Sequence, residues 1–195
     1  EFDLHLFTEG RLYKAYETMG AHLKTANGVS GVHFVVWAPN ASRMSVVGEF
    51  NRWDGRCHQM TNRGATGLWE LFIPDLPEGT LYKYEVRARN QDAPFLKADP
   101  YAFAGELRPR TASVVRDLST YHWDDRDWME ARSRINPLTA PMSIYEVHLG
   151  SWMRVPEEGG RWLTYRELAD KLIQYVKHMG YTHIELMPVT EHPFD

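Results

Sequence analysis

The stretch that most constrains the fold is residues 143–195, which reads strand, helix, strand. Residues 143–150, Ser-Ile-Tyr-Glu-Val-His-Leu-Gly, are rich in β-branched and aromatic side chains and end on a glycine. Residues 164–179 carry a helical period, with Leu168, Leu172, Tyr175, Val176 and Met179 on one apolar stripe. Thr164 with Glu167 three residues on predicts a capping box, and Gly180 predicts a left-handed C-terminal cap. Glu167 and Lys171 have the spacing of an i,i+4 ion pair. Residues 181–187 read as a second strand, stopped by Pro188. Two strands joined by a helix of that length predict a βαβ unit with a parallel pair and a right-handed crossover. Such a unit belongs to a barrel or an open α/β sheet, and either needs more strands. The expectation is therefore a piece of a longer enzyme whose catalytic domain has only begun.

Residues 29–118 carry a different pattern. Residues 32–37, 44–47 and 68–73 are short apolar runs closed by Pro, Gly or Asn, and residues 112–115 read as a last short strand. Between them, residues 81–89 alternate, with Tyr82, Tyr84, Val86 and Ala88 on one face and Lys83, Glu85, Arg87 and Arg89 on the other. That is the signature of a half-solvated antiparallel strand. The expected fold is an all-β immunoglobulin-like sandwich followed by the first β-α-β unit of an α/β domain. Residues 1–28 are read as a lead-in with a short helix over residues 10–19, where Leu12, Ala15, Tyr16 and Met19 fall at helical spacing. Residues 119–142 are a connector anchored by Trp123 and Trp128, with a helix over residues 125–134.

Gly48-Glu49-Phe50-Asn51-Arg52-Trp53-Asp54-Gly55 comes directly after a predicted strand. A Trp in a polar, glycine-bounded loop either caps the sandwich edge or offers a flat platform for a sugar ring, with Asn51 as a hydrogen-bonding neighbour. Lys83, on the polar face of its strand, is either a solvated lysine or a donor to sugar hydroxyls. Glu146 and His148 share one face of the first parallel strand, and His183, Glu185 and Met187 one face of the second. Paired carboxylates serve glycoside chemistry, and equally line barrel layers as structural pairs. Glu191, His192 and Asp195 lie just past the C-terminal end of the second strand, where α/β proteins place their active sites, and are candidates for a substrate-cleft wall.

Composition excludes several classes. The formal charge of −4 gives no basis for a nucleic-acid or anionic-membrane partner, and no apolar run approaches the length of a membrane span. No phosphate-binding glycine loop, nucleophile elbow or zinc spacing occurs, so no cofactor and no metal are expected. Cys57 is the single cysteine, which fits a reducing, cytoplasmic setting.

The run 143–152 with 163–169, 180–189 and 191–195 resembles the glycogen branching enzymes of the α-amylase superfamily. Residues 31–40, 46–55, 67–74, 81–85 and 97–103 resemble the glycogen-binding-type module that precedes the barrel in those enzymes. The resemblance implies a (β/α)8 barrel opening at residue 143 and an α-glucan substrate. It also implies transfer of α-1,4-glucan segments to 6-hydroxyls through a retaining mechanism. The catalytic carboxylates of the family come from later barrel strands, so none is expected within 1–195, and the segment alone is expected to be inactive. The alternatives are a non-catalytic glucan-binding module or scaffold, and a debranching enzyme or trehalohydrolase of the same layout; residues 149–154 and 97–103 favour branching over the last two. Compared with related glucan-binding modules, Trp53 and Lys83 match a stacking Trp and a site lysine. Phe95 is the nearest counterpart of the second stacking ring, and the asparagine expected around residues 111–113 is missing.

Overall fold

The computed structural model describes residues 2–91 and 93–189. The chain forms two compact units, residues 1–122 and 123–195.

The first unit opens with helix α1 (Phe2–Thr8) and continues through strands β1 (Gly20–Ala26), β2 (Val29–Trp37), β3 (Ala41–Gly48), β4 (Thr61–Asn62), β5 (Leu68–Pro74), β6 (Leu81–Ala88), β7 (Phe95–Lys97) and β8 (Ser113–Val114). One sheet runs β1-β2-β5-β4; the other runs β3-β6-β7, with β8 also pairing to β6. All the named pairs are antiparallel. The alternation along β6 places Tyr82 and Tyr84 fully inside, against Phe34, Val36 and Ile73 of the first sheet and Met44 and Val46 of the second. Phe34 meets the Tyr82 ring edge-on at 5.0 Å between centroids. Each of these large side chains contributes about 1.5–3 kcal/mol by leaving water, so the two-sheet sandwich holds without a disulfide.

Two tyrosines in a core bring two hydroxyls that need partners. Asp99, itself buried, supplies them: its Oδ2 accepts from Tyr82 at 2.7 Å and from Tyr84 at 3.0 Å. Its Oδ1 accepts the Tyr101 N–H at 2.8 Å, and its own N–H donates to Ser113 Oγ at 2.9 Å. Burial pushes the Asp99 carboxyl up, against the pull of these donors, and lifts both phenols.

The lead-in differs from expectation. The helix over 10–19 is not formed; α1 ends before Gly10, whose φ of +68° is left-handed, and only a 3-10 turn (Ala15–Glu17) comes after it. Tyr16 stays half in solvent while Met19 is buried with Val35 and Leu68, so the two do not share a helical face. Residues 20–26, read as lead-in, pair with Val29–Val35 of β2 through a hairpin at Asn27-Gly28. Both turn residues have positive φ, as a two-residue hairpin matching the strand twist requires.

The second unit contains α2 (Arg126–Ser133), β9 (Ile144–Val147), α3 (Leu149–Trp152), β10 (Arg154–Val155), β11 (Arg161–Trp162), α4 (Tyr165–Met179) and β12 (His183–Leu186). β9 and β12 pair in parallel, and Leu172 and Val176 of the intervening α4 pack on Val147. Thr164 and Glu167 make the reciprocal capping box, and Gly180 closes the helix at φ 82°. The Glu167 carboxylate turns not to Lys171 but to Arg161, whose fork donates two 3.0 Å bonds.

Hydrogen bonds from Arg161, then from Thr164, pull the Glu167 carboxyl down to about 2 from its ordinary 4.5. A lowered folded value means the stabilisation is present above the ordinary carboxylate range and is lost as pH falls toward the folded value. Glu167→Gln is therefore expected to lower amide-exchange protection in the first turn of α4 at pH 7. The difference from wild type closes as the pH approaches about 2. A gap that persists unchanged at that acidity assigns the effect to packing instead.

Candidate functional site

The loop after β3 is built to hold a tryptophan at one angle. Glu49–Asn51 make one 3-10 turn, and Arg52 and Trp53 then come with φ of 55° and 59°. Left-handed backbone at a non-glycine residue costs on the order of 1 kcal/mol or more and persists only where the surroundings impose it. Here Asn51 imposes it. Its Oδ1 accepts the Gly48 N–H at 3.0 Å, and its amide nitrogen donates to the Val46 carbonyl and faces His58 Nδ1, both at 2.9 Å. The Trp53 N–H donates to the Gly48 carbonyl at 2.9 Å. Ser45, buried, ties down the far end by donating to the Gly55 carbonyl at 2.6 Å. Gly48 is required because a Cβ there would stand 2.3 Å from the Leu81 carbonyl oxygen and 2.4 Å from the Phe50 ring.

Trp53, half-buried, forms one wall of a cleft of about 500 Å³ on the outer face of the β3-β6-β7 sheet. Leu96 of β7 is on the same cleft, with Leu81 and Lys83 of β6 and with Glu106, Arg110 and Thr111 from the segment before β8. Lys83 Nζ donates to Thr111 Oγ1 at 2.8 Å, which places the ammonium at the cleft's polar edge. The Glu106 carboxylate accepts the Ala112 N–H at 3.2 Å and lies 3.4 Å from Arg110 Nη1, which folds the segment back over the sheet. The cleft thus combines an indole and an aliphatic wall with charged hydrogen-bonding groups, the mix that takes an amphipathic ring with hydroxyls at its rim.

Of the residues singled out from sequence, Trp53 and Lys83 meet here and two others do not. Asn51 is buried and every polar atom of its side chain is engaged inside the loop, so it is a brace and not a sugar ligand. Phe95 pairs with Val86, on the face of β6 that carries Tyr84, whereas Leu96 pairs with Glu85 on the outer face. A one-residue step in a strand exchanges faces, so Leu96, not Phe95, is the apolar side chain opposite Trp53. Leu96, Glu106 and Arg110 went unread because they lie far along the chain from Trp53, and only strand register joins them to it. A second hollow, about 610 Å³, lies under α1 on the opposite sheet. It holds His33, Glu70 and Arg63, and none of the candidate site residues read from sequence lines it.

In the second unit Glu146 and Glu185 are register partners on adjacent parallel strands, facing away from α4. His148 Nδ1 is 2.9 Å from Ser151 Oγ, and His183 Nδ1 is 2.8 Å from Thr182 Oγ1. Glu191, His192 and Asp195 lie outside the described residues. Among the described residues no helix is long and apolar enough to cross a membrane, and no group of three metal-ligating side chains converges.

Residues 18–102, which contain strands β1 to β7 and the Trp53 loop, match the family described as carbohydrate-binding module 48, the isoamylase N-terminal domain. The chain is 58% identical over 196 aligned residues to a 1,4-alpha-glucan branching enzyme of Gloeobacter violaceus, covering 100% of this chain and 27% of that protein. This chain is related to the N-terminal portion of glycogen branching enzymes. A branching enzyme of Nitrosococcus oceani is 56% identical, again over the full chain and 26% of its own length. The chain thus spans about a quarter of the curated relatives it matches. Among solved structures, a pullulanase of Klebsiella pneumoniae superposes with a TM-score of 0.60 at 26% identity, over 90% of this chain and 20% of that one. The chain therefore carries a fold found within α-amylase-superfamily enzymes.

Proposed function

We propose that this chain is the N-terminal segment of a 1,4-α-glucan branching enzyme, and that its first unit holds α-glucan in the Trp53–Lys83 cleft. The observation that carries the reading is the strained, over-braced presentation of Trp53 beside Leu96 and the Lys83–Thr111 pair. An indole stacks on the C–H face of a pyranose ring, and the lysine and threonine donate to its hydroxyls. With a single aromatic wall the site is suited to weak capture of many chain segments, which keeps a polymer near the enzyme through repeated contacts.

On this reading the module includes β1 and runs to about residue 118, and residues 119–142 are the connector. The βαβ unit of residues 143–195 opens a (β/α)8 barrel whose remaining strands cover its open faces. The parallel register of β9 and β12 and the α4 crossover support that assignment. The acid/base and nucleophilic carboxylates of a retaining transfer belong to later strands, so this segment alone makes no branches. The setting is cytoplasmic, and no cofactor takes part.

Affinity electrophoresis tests the cleft. The chain is expected to be retarded in gels containing glycogen, and Trp53→Ala to migrate as in a plain gel while keeping its circular dichroism. Equal mobility of the folded wild-type chain in both gels would reduce the module to a brace for the barrel.

A further inference from the structure

Beneath the Trp53 loop lies an ion pair that does not line the cleft. Arg43 of β3 donates from Nη2 to Glu85 Oε1 of β6 at 2.6 Å, and both side chains are mostly shielded from water. A shielded ion pair gains little net stability over apolar side chains of the same volume. This one also leaves Arg43 Nε buried with no hydrogen-bond partner among the described residues. An orphaned donor lowers stability, so the pair calls for another reason.

Its neighbours supply the reason. Across the outer face of the second sheet, Ser45 of β3, Glu85 of β6 and Leu96 of β7 are successive register partners. Ser45 holds the foot of the Trp53 loop through the Gly55 carbonyl. Glu85 holds the same residue from the next strand. A Cβ built on Gly55 would stand 2.1 Å from Glu85 Oε1 and 2.3 Å from its Cδ, so the glycine backbone rests directly on the carboxylate. Leu96, the third member of the row, is the wall that faces Trp53. Glu85 therefore stands between the foot of one cleft wall and the base of the other, and Arg43 fixes where its carboxylate sits. We propose that Glu85, held by Arg43, is a positioning residue: it supports the loop at Gly55 and so sets the separation of Trp53 from Leu96. The role in ligand capture rests on the α-glucan reading of the cleft; the support of Trp53 does not.

The test reads the loop and the ligand separately. The whole chain is labelled with 5-fluorotryptophan and the Trp53 resonance is assigned with Trp53→Phe. Each variant is followed first without ligand and then through a titration with maltoheptaose. Glu85→Ala removes the support, and Gly55→Ala drives a methyl into it. Each is expected to displace the Trp53 resonance of the free protein and to weaken the titration about threefold to tenfold, the range for loss of one oriented aromatic contact. Combining Gly55→Ala with Glu85→Ala vacates the space that the new methyl needs, and should bring both readouts back toward wild type. Such non-additivity marks residues in contact. Glu85→Gln keeps the volume and an acceptor for Arg43, and should keep the wild-type resonance and affinity even where its thermal midpoint falls. Should Gly55→Ala not fold, the contrast between Glu85→Ala and Glu85→Gln decides alone. A Trp53 resonance unmoved in Glu85→Ala would overturn the positioning role, whether or not maltoheptaose binds. So would a Glu85→Gln resonance displaced as far as that of Glu85→Ala, since the effect would then follow lost charge and not lost support. A resonance that moves as expected, in a folded chain whose wild type gives no response to maltoheptaose, would keep Glu85 as the support of Trp53 and remove the glucan reading.

Discussion

Asp99→Ala is expected to destabilise the first unit by about 3–5 kcal/mol, the loss seen when a buried, hydrogen-bonded charge is taken from its partners. The reason is the count of groups left behind. The Tyr82 and Tyr84 hydroxyls both end on Asp99 Oδ2 in a region without solvent access, and the Tyr101 N–H ends on Oδ1. An unsatisfied buried donor costs about 1–3 kcal/mol, and alanine leaves three. Because Tyr82 and Tyr84 are the central side chains of β6, the loss is felt by the sandwich as a whole, not by one loop. Urea unfolding monitored through the exchange of β6 amides should show it as a lowered midpoint. A control decides the mechanism: Asp99→Leu combined with Tyr82→Phe and Tyr84→Phe removes both sides of the polar cluster and should recover most of the loss. If the triple variant is no more stable than Asp99→Ala, the carboxylate acts through the Tyr101 N–H, and the tyrosine account fails.

How much of this was legible beforehand differs by element. β6 was readable because its two faces differ in chemistry: tyrosines alternate with Lys83 and Glu85, and strand period alone then sets which side is core. α4 was readable because its signals are local: Thr164, Glu167 and Gly180 act within one turn of themselves. β1 was missed although Asn27-Gly28 between Leu23 and Val32 is a strong hairpin signal. The helical spacing of Leu12, Ala15, Tyr16 and Met19 drew the boundary past it, and burial of Met19 against Val35 and Leu68 overrode that spacing. The partner of Asp99 was beyond reach for another reason. Tyr82 and Asp99 are 17 residues apart, and they meet only because β7 pairs back on β6 and the chain then turns inward. The cleft shows the same division. Trp53 stood out by its loop, whereas its opposite wall, Leu96, depends on a register that no local pattern records.

Asn51→Ala is the second large effect, and it separates two roles that sequence could not. As a sugar ligand, Asn51 would lose affinity and leave stability alone. As the brace of the Trp53 loop, it should lose both. Its side chain makes three internal contacts at 2.9–3.0 Å, to Gly48, Val46 and His58. Alanine leaves the Gly48 N–H and the Val46 carbonyl unpaired in a buried setting, at a cost of about 2–4 kcal/mol. The left-handed backbone at Arg52 and Trp53 then loses its side-chain brace, and relaxation of those two residues is expected to swing the indole out of the cleft. Glycogen retardation should therefore fall to the level of Trp53→Ala even below the temperature at which the variant unfolds. Asn51→Asp keeps an acceptor for Gly48 but loses the donor to Val46, and should land between alanine and wild type in both stability and retardation. A variant that binds glycogen weakly while unfolding at the wild-type midpoint would return Asn51 to the ligand surface. A variant that loses stability but keeps full retardation would mean that Trp53 is held by Gly48 and Ser45 without it.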